Sequence, residues 1–213
     1  MLPHEALQTQ ALAERSLLSR VLAWLGLSLV LTAVGVYLSP AVSLPWWLFF
    51  IGAIGLIFSV QAAVGAHRHG LAVGLFTAFA LVEGLFIGPL VLSYLSVQPE
   101  AVGNALLGTV GVFMVAAAVV WLTGFNFAAW GKWLFGALLV GIVLSLAAIF
   151  IPIDHLLLDL FLGAVFVGLT FFDFWRVRSQ RTSDNSAVLL ALSLYLDFIN
   201  LFLILLRIFG RRR

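Results

Sequence analysis

Residues 187–209 read AVLLALSLYLDFINLFLILLRIF. As a helix, this stretch reaches about 34 Å at about 1.5 Å per residue, enough to cross the roughly 30 Å hydrocarbon core of a bilayer. Two charges interrupt it, Asp197 and Arg207. Each costs roughly 2.5–3.5 kcal/mol at the centre of a membrane helix on insertion scales, so neither is there by default. At about 100° per residue, Ser186, Ser193, Asp197, Asn200 and Arg207 fall within an arc of roughly 80°. One polar stripe on an otherwise apolar helix predicts a central helix surrounded by others. The stripe then faces either a hydrated cavity or a hydrogen-bonded packing seam.

The rest of the chain agrees with a membrane reading. Of 213 residues, 63% are hydrophobic and 9% charged, against about 25% charged in soluble domains. Cysteine is absent, which excludes disulfides and thiolate chemistry. A net charge of +2 gives no basis for binding nucleic acid. Seven stretches qualify as spans, at roughly 18–38, 46–66, 71–95, 102–123, 133–151, 155–176 and 187–209. The fold class is therefore an all-α integral membrane protein, a seven-helix bundle with helix seven central and helices one to six around it. Residues 1–17 form a polar N-terminal tail, expected as an amphipathic helix on the membrane rather than a cleaved signal. Residues 18–209 form the membrane domain, and 210–213 a basic C-terminal tail. No internal repeat supports an inverted-repeat transporter. Five tryptophans, Trp46, Trp47, Trp130, Trp133 and Trp175, stand at span ends, as interfacial belt residues do.

Placing the N-terminus in the cytoplasm puts Arg15, Arg20, Arg68, Lys132, Arg176, Arg178 and Arg181 inside, as the positive-inside rule asks. Seven crossings then put Arg211, Arg212 and Arg213 outside, against the rule. Either the rule yields there or helix seven is re-entrant, and its length favours crossing. Glycines recur within the spans: Gly84 and Gly88, followed by Pro89, then Gly103, Gly108 and Gly111, then Gly136 and Gly141. Close helix contact is the expectation for all of them.

The acids at depth are Glu83, Asp159, Asp173 and Asp197. Helices six and seven are joined by a short loop and must be antiparallel neighbours. Asn185, in that loop, is the midpoint between Asp173 and Asp197, so the two lie at similar depth if the hairpin is symmetric. Two carboxylates in contact cannot both ionise cheaply, so such a pair shares a proton and titrates as a unit. It also offers oxygen ligands to a hard cation. Glu83 either faces the same cavity or is protonated and hydrogen-bonded to a neighbour. Asp154 and Asp159 are expected at the interface. His67 and His69 flank Arg68 at headgroup level. No HExxH, Walker or GxGxxG pattern occurs, and no nucleophile set points to an enzyme.

ALSLYLDFINLFLILLRIFG, residues 191–210, resembles the last-helix signature of the Bax inhibitor-1 family. FFDFWRVR, residues 171–178, is similar to that family's sixth helix, and GLFIGPL, residues 84–90, to the end of its third. The resemblance implies a bacterial pH-sensitive calcium leak channel of the inner membrane. It also implies a sensor pair on helices six and seven, at positions matched by Asp173 and Asp197, with those carboxylates as transient Ca²⁺ ligands. Family members carry an acid and an arginine on or just after helix two. Here helix two has no acid and the nearest arginine is Arg68, so Glu83 or Arg68 would have to couple sensor to gate. Asn200 and Arg207 are further pathway candidates. No cofactor is implied beyond Ca²⁺ as transported ion. A membrane-bound AAA protease is the implied partner in the alternative reading, where the aspartates are structural and the chain modulates that protease or a stress response.

Overall fold

The computed structural model describes residues 3–42, 45–180 and 184–211, with side chains from residue 17 onward except 46, 50 and 184–186. The chain runs α1 (Pro3–Leu38), a 3₁₀ turn (Ser39–Ala41), α2 (Trp46–Gly65), α3 (His69–Val97), α4 (Pro99–Thr123), α5 (Trp130–Ala147), α6 (His155–Ser179) and α7 (Asp184–Gly210). No strand occurs among the described residues. All seven helices are long and apolar enough to cross a membrane. The N-terminal segment is helical from Pro3 and continues without a break into the first span, which begins at Leu17.

Local chemistry sets the helix ends. Pro99 opens α4, where its missing N–H costs nothing, and Gly124 ends the helix in the left-handed region at φ 66°. Arg178 donates to the Val120 carbonyl in that last turn, a cation placed at a helix C-terminus. Asp154 caps α6 by accepting the Leu156 N–H at 2.7 Å and the Leu157 N–H at 3.3 Å. The fifth helix stops at Ala147, short of the expected 151. Pro152 disfavours helical backbone in the residue before it, and 148–150 turn instead, with the Ile151 N–H closing on Ala147.

The chain divides into two compact units, residues 1–93 with 179–195 and residues 94–178 with 196–213. α7 contributes to both and takes the central place its sequence indicated. In its span 67% of residues are buried, against at most 39% in any other. It runs unbroken to Gly210 and is long and apolar enough to cross a membrane in full.

In the first unit, α1 and α3 meet through glycine. A Cβ on Gly35 would strike the Leu81 carbonyl, one on Gly84 the Thr32 carbonyl, and one on Gly88 the Ser39 hydroxyl. In the second, a Cβ on Gly141 would strike Leu162 and one on Gly108 would lie 3.1 Å from Leu205. Gly103, Gly111 and Gly136 correct the expectation of contact: nothing lies within 4 Å of an added Cβ. They sit on exposed faces of α4 and α5, where no neighbouring helix requires a small residue. Of the tryptophans expected at the interface, Trp47, Trp130 and Trp133 are exposed at helix ends. The side chain of Trp46 lies outside the described residues.

Candidate functional site

Asp173 and Asp197 both belong to the second unit and both are buried, with 6% and 4% of their surface exposed. Asp197 interacts electrostatically with Asp173 and with Arg176. One turn along α6 from Asp173, the Arg176 guanidinium places Nη1 3.0 Å from Asp173 Oδ1. The expected pair is thus a triad of two acids and one base. Arg176 was anticipated only as an inner-face charge. The Asp-x-x-Arg spacing, with both residues on one helix face, was the signal that could have found it.

Asp197 Oδ2 is buried and has no hydrogen-bond partner. Buried polar atoms are almost always satisfied, and an unpartnered carboxylate oxygen is among the costliest to leave bare. It is the atom a proton or a hard cation would satisfy.

Apolar residues pack beside both aspartates in the chain. Phe174 and Phe198, each following an aspartate, both meet Phe113 of α4 edge-on, with ring centroids 5.6 and 5.2 Å away. Thr170, fully buried one turn before Asp173, spends its hydroxyl on the Phe166 carbonyl at 2.8 Å. Further along both helices comes an apolar layer of Phe166, Leu201 and Ile204, packed by Val112, Leu138 and Leu162 among others.

Beyond that layer lies a second charged cluster. Asp159 is 5% exposed. Its Oδ1 accepts from Arg207 Nε at 2.9 Å and Nη2 at 2.8 Å, and its Oδ2 accepts from Arg211 Nη2 at 3.2 Å. Asp159 was expected to be interfacial. It sits four positions into α6, near the helix end, but is buried by the two guanidiniums that neutralise it.

The remaining candidates lie elsewhere. Asn200 spends Nδ2 on the Leu196 carbonyl at 2.8 Å, a bond within its own helix. Arg207 belongs to the Asp159 cluster, about 15 Å along α7 from Asp197 at 1.5 Å per residue. Arg68 is exposed in the α2–α3 turn, beside His67 at φ 56°. Glu83 is half-buried in α3 of the first unit, where it interacts electrostatically with Tyr195. Sequence reading missed Tyr195. Its fully buried hydroxyl lies 2.7 Å from Thr32 Oγ1, which also reaches the Ala80 carbonyl at 3.1 Å. Phe76 and Phe79 meet its ring edge-on. Nothing in the local sequence marks this long-range node.

Comparison with known proteins places this architecture. The chain is 31% identical over 218 residues to the inner membrane protein YbhL of Escherichia coli K12, with 92% of each chain covered. It is 31% identical over 185 residues to Bax inhibitor 1 of Schizosaccharomyces pombe, covering 82% of this chain and 67% of that one. A Golgi anti-apoptotic protein of vaccinia virus is 32% identical over 159 residues, covering 74% and 65%. A family model described as "Inhibitor of apoptosis-promoting Bax1" matches residues 14–213. With nearly the whole chain matched, and seven spans built around a buried last helix, this protein belongs to the Bax inhibitor-1 family.

Proposed function

We propose that this membrane protein is a passive, pH-sensitive pathway for Ca²⁺, governed by a proton shared between Asp173 and Asp197. One observation carries the reading: a buried carboxylate oxygen with no donor, on an aspartate that feels a second buried aspartate. Proton and cation compete for the same negative charge. Two carboxylates are far fewer than the six to eight oxygens that Ca²⁺ gathers in a tight site, so the pair suits passage rather than storage. Among the described residues, no group of three or more His, Asp or Glu gathers as a metal site, and Ca²⁺ enters the proposal as cargo. Arg176 holds Asp173 in place, and the layer of Phe166, Leu201 and Ile204 is the barrier an ion must pass. A multi-pass place in the inner membrane, N-terminus in the cytoplasm, follows the positive charges and the inner membrane relative.

The test is Ca²⁺ uptake into liposomes holding the purified protein, measured across pH. The expected result is a pH-dependent flux that loses its pH dependence in Asp173→Asn and Asp197→Asn. Both variants retaining wild-type flux and pH profile would refute the sensor.

A second reading rests on a different observation. The helix of the first span begins at Pro3, well before the span itself, so residues 3–16 form a helical extension available to a membrane-bound partner such as an AAA protease. In that reading the aspartates only hold helices together. Deleting residues 2–16 separates the two: partner binding lost with flux intact assigns the extension to interaction.

A further inference from the structure

A cavity of about 310 Å³ opens beside the outer charged cluster, lined by Ser145, Ala148, Ile149, His155, Leu158, Asp159, Leu162 and Arg207. It lies among three helix ends. α5 stops at Ala147, α6 starts at His155, and Arg207 is three positions from the end of α7. That is headgroup depth for helices of spanning length. The volume is at the small end of ligand pockets, which run about 300–1,000 Å³.

The charge on this cavity is not balanced. Asp159 contributes one negative charge, and Arg207 and Arg211 two positive ones, leaving a formal excess of one positive charge. Arg207 commits Nε and Nη2 to Asp159. Nη1 has no partner among the described residues, and the side chain is 40% exposed. A guanidinium with one edge fixed on a carboxylate and the other open is a preorganised oxyanion donor. His155 also lines the cavity and adds ring N–H donor capacity. Ile149, Leu158 and Leu162 give it an apolar lining as well. A cation is repelled by the net charge, and a fully apolar ligand would strand the arginine.

We propose that this cavity binds a phosphate anion, specifically the headgroup phosphate of an anionic phospholipid whose glycerol and first methylenes lie on the apolar lining. The site stands apart from Asp173 and Asp197 and does not depend on the proposed cation pathway. Bound lipid would tie α5, α6 and α7 together at one membrane face through Arg207.

The experiment titrates the purified full chain, in neutral detergent, with short-chain phosphatidylglycerol, short-chain phosphatidylcholine and inorganic phosphate, reading the thermal unfolding midpoint. Phosphatidylglycerol is expected to raise the midpoint saturably, with the other two much weaker. Arg207→Gln removes a charge-assisted donor and is expected to weaken apparent affinity about tenfold or more. Ala148→Phe fills the cavity and leaves the ion pairs in place, and it is expected to abolish the saturable shift even if Arg207→Gln does not fold. Equal stabilisation by phosphatidylcholine would overturn the anion site. Equal stabilisation by inorganic phosphate would overturn the lipid assignment. An undiminished phosphatidylglycerol shift in Ala148→Phe would overturn the location.

Discussion

Replacing Gly84 by alanine tests the packing of the first unit with one methyl group. The new Cβ would lie on the Thr32 carbonyl oxygen and 2.9 Å from Thr32 Cα. Carbon atoms in good contact stand about 3.5–4.0 Å apart, so α1 must retreat by close to 1 Å. The Thr32 hydroxyl, already 3.1 Å from the Ala80 carbonyl, would then leave hydrogen-bond range. Overpacking costs about 1–3 kcal/mol, and the lost hydrogen bond about 1 more. Alanine's better helix propensity returns about 1 kcal/mol, for a net loss of roughly 1–3 kcal/mol. At about 2–4 °C per kcal/mol for a chain of this size, thermal unfolding in detergent should fall by about 2–12 °C. Gly111→Ala is the control, because nothing lies within 4 Å of its added Cβ. It gains only the propensity term and should unfold at or slightly above the wild-type temperature. The reasoning fails if Gly84→Ala matches the wild type, or if Gly111→Ala falls as far as Gly84→Ala.

Tyr195→Phe removes one buried hydroxyl while Thr32 keeps its carbonyl partners, so stability should drop by about 1 kcal/mol. A double-mutant cycle with Thr32→Val, read by thermal unfolding, should show coupling rather than additivity. Arg176→Gln takes the cation from beside Asp173 and should move the pH midpoint of Ca²⁺ flux in liposomes by about one unit, whereas Arg178→Gln, whose guanidinium serves the end of α4, should leave it in place. Asp159→Asn strips the anion from between two partly exposed guanidiniums, and solvent screening keeps the expected destabilisation to about 1–2 kcal/mol, measured by unfolding.

The seven spans and the central last helix were legible because a bilayer imposes length and hydropathy on every crossing segment. An interaction between Asp173 and Asp197 was legible too, since near-symmetry about the α6–α7 turn allows them to meet, and Asp197 does feel Asp173 electrostatically. The same arithmetic reaches a second pair. Asp159 and Arg207 are also nearly symmetric about that turn, and their ion pair could have been anticipated from it. The departures have physical causes. Hydropathy cannot tell a glycine in a helix seam from one on an exposed face, so Gly84 and Gly111 look alike in sequence. Phe113 and Tyr195 carry no local mark, because an aromatic residue in a spanning helix is ordinary whether it faces lipid or a buried neighbour. What gives them their roles, the aspartate-flanking phenylalanines and Thr32, is far away in the chain.

The apolar layer of Phe166, Leu201 and Ile204 has an electrical consequence. Charged groups stand on either side of it along the same two helices, Arg176 with the aspartates on one side and Arg207 with Asp159 on the other. Both arginines are partly exposed, at 30% and 40% of their side chains. Membrane voltage falls mainly where the medium polarises least, so an apolar layer between two charged clusters carries a share of the drop. Each elementary charge crossing the whole potential gains about 2.3 kcal/mol per 100 mV. On the proposed pathway, a divalent ion passing these three side chains would gain part of twice that energy.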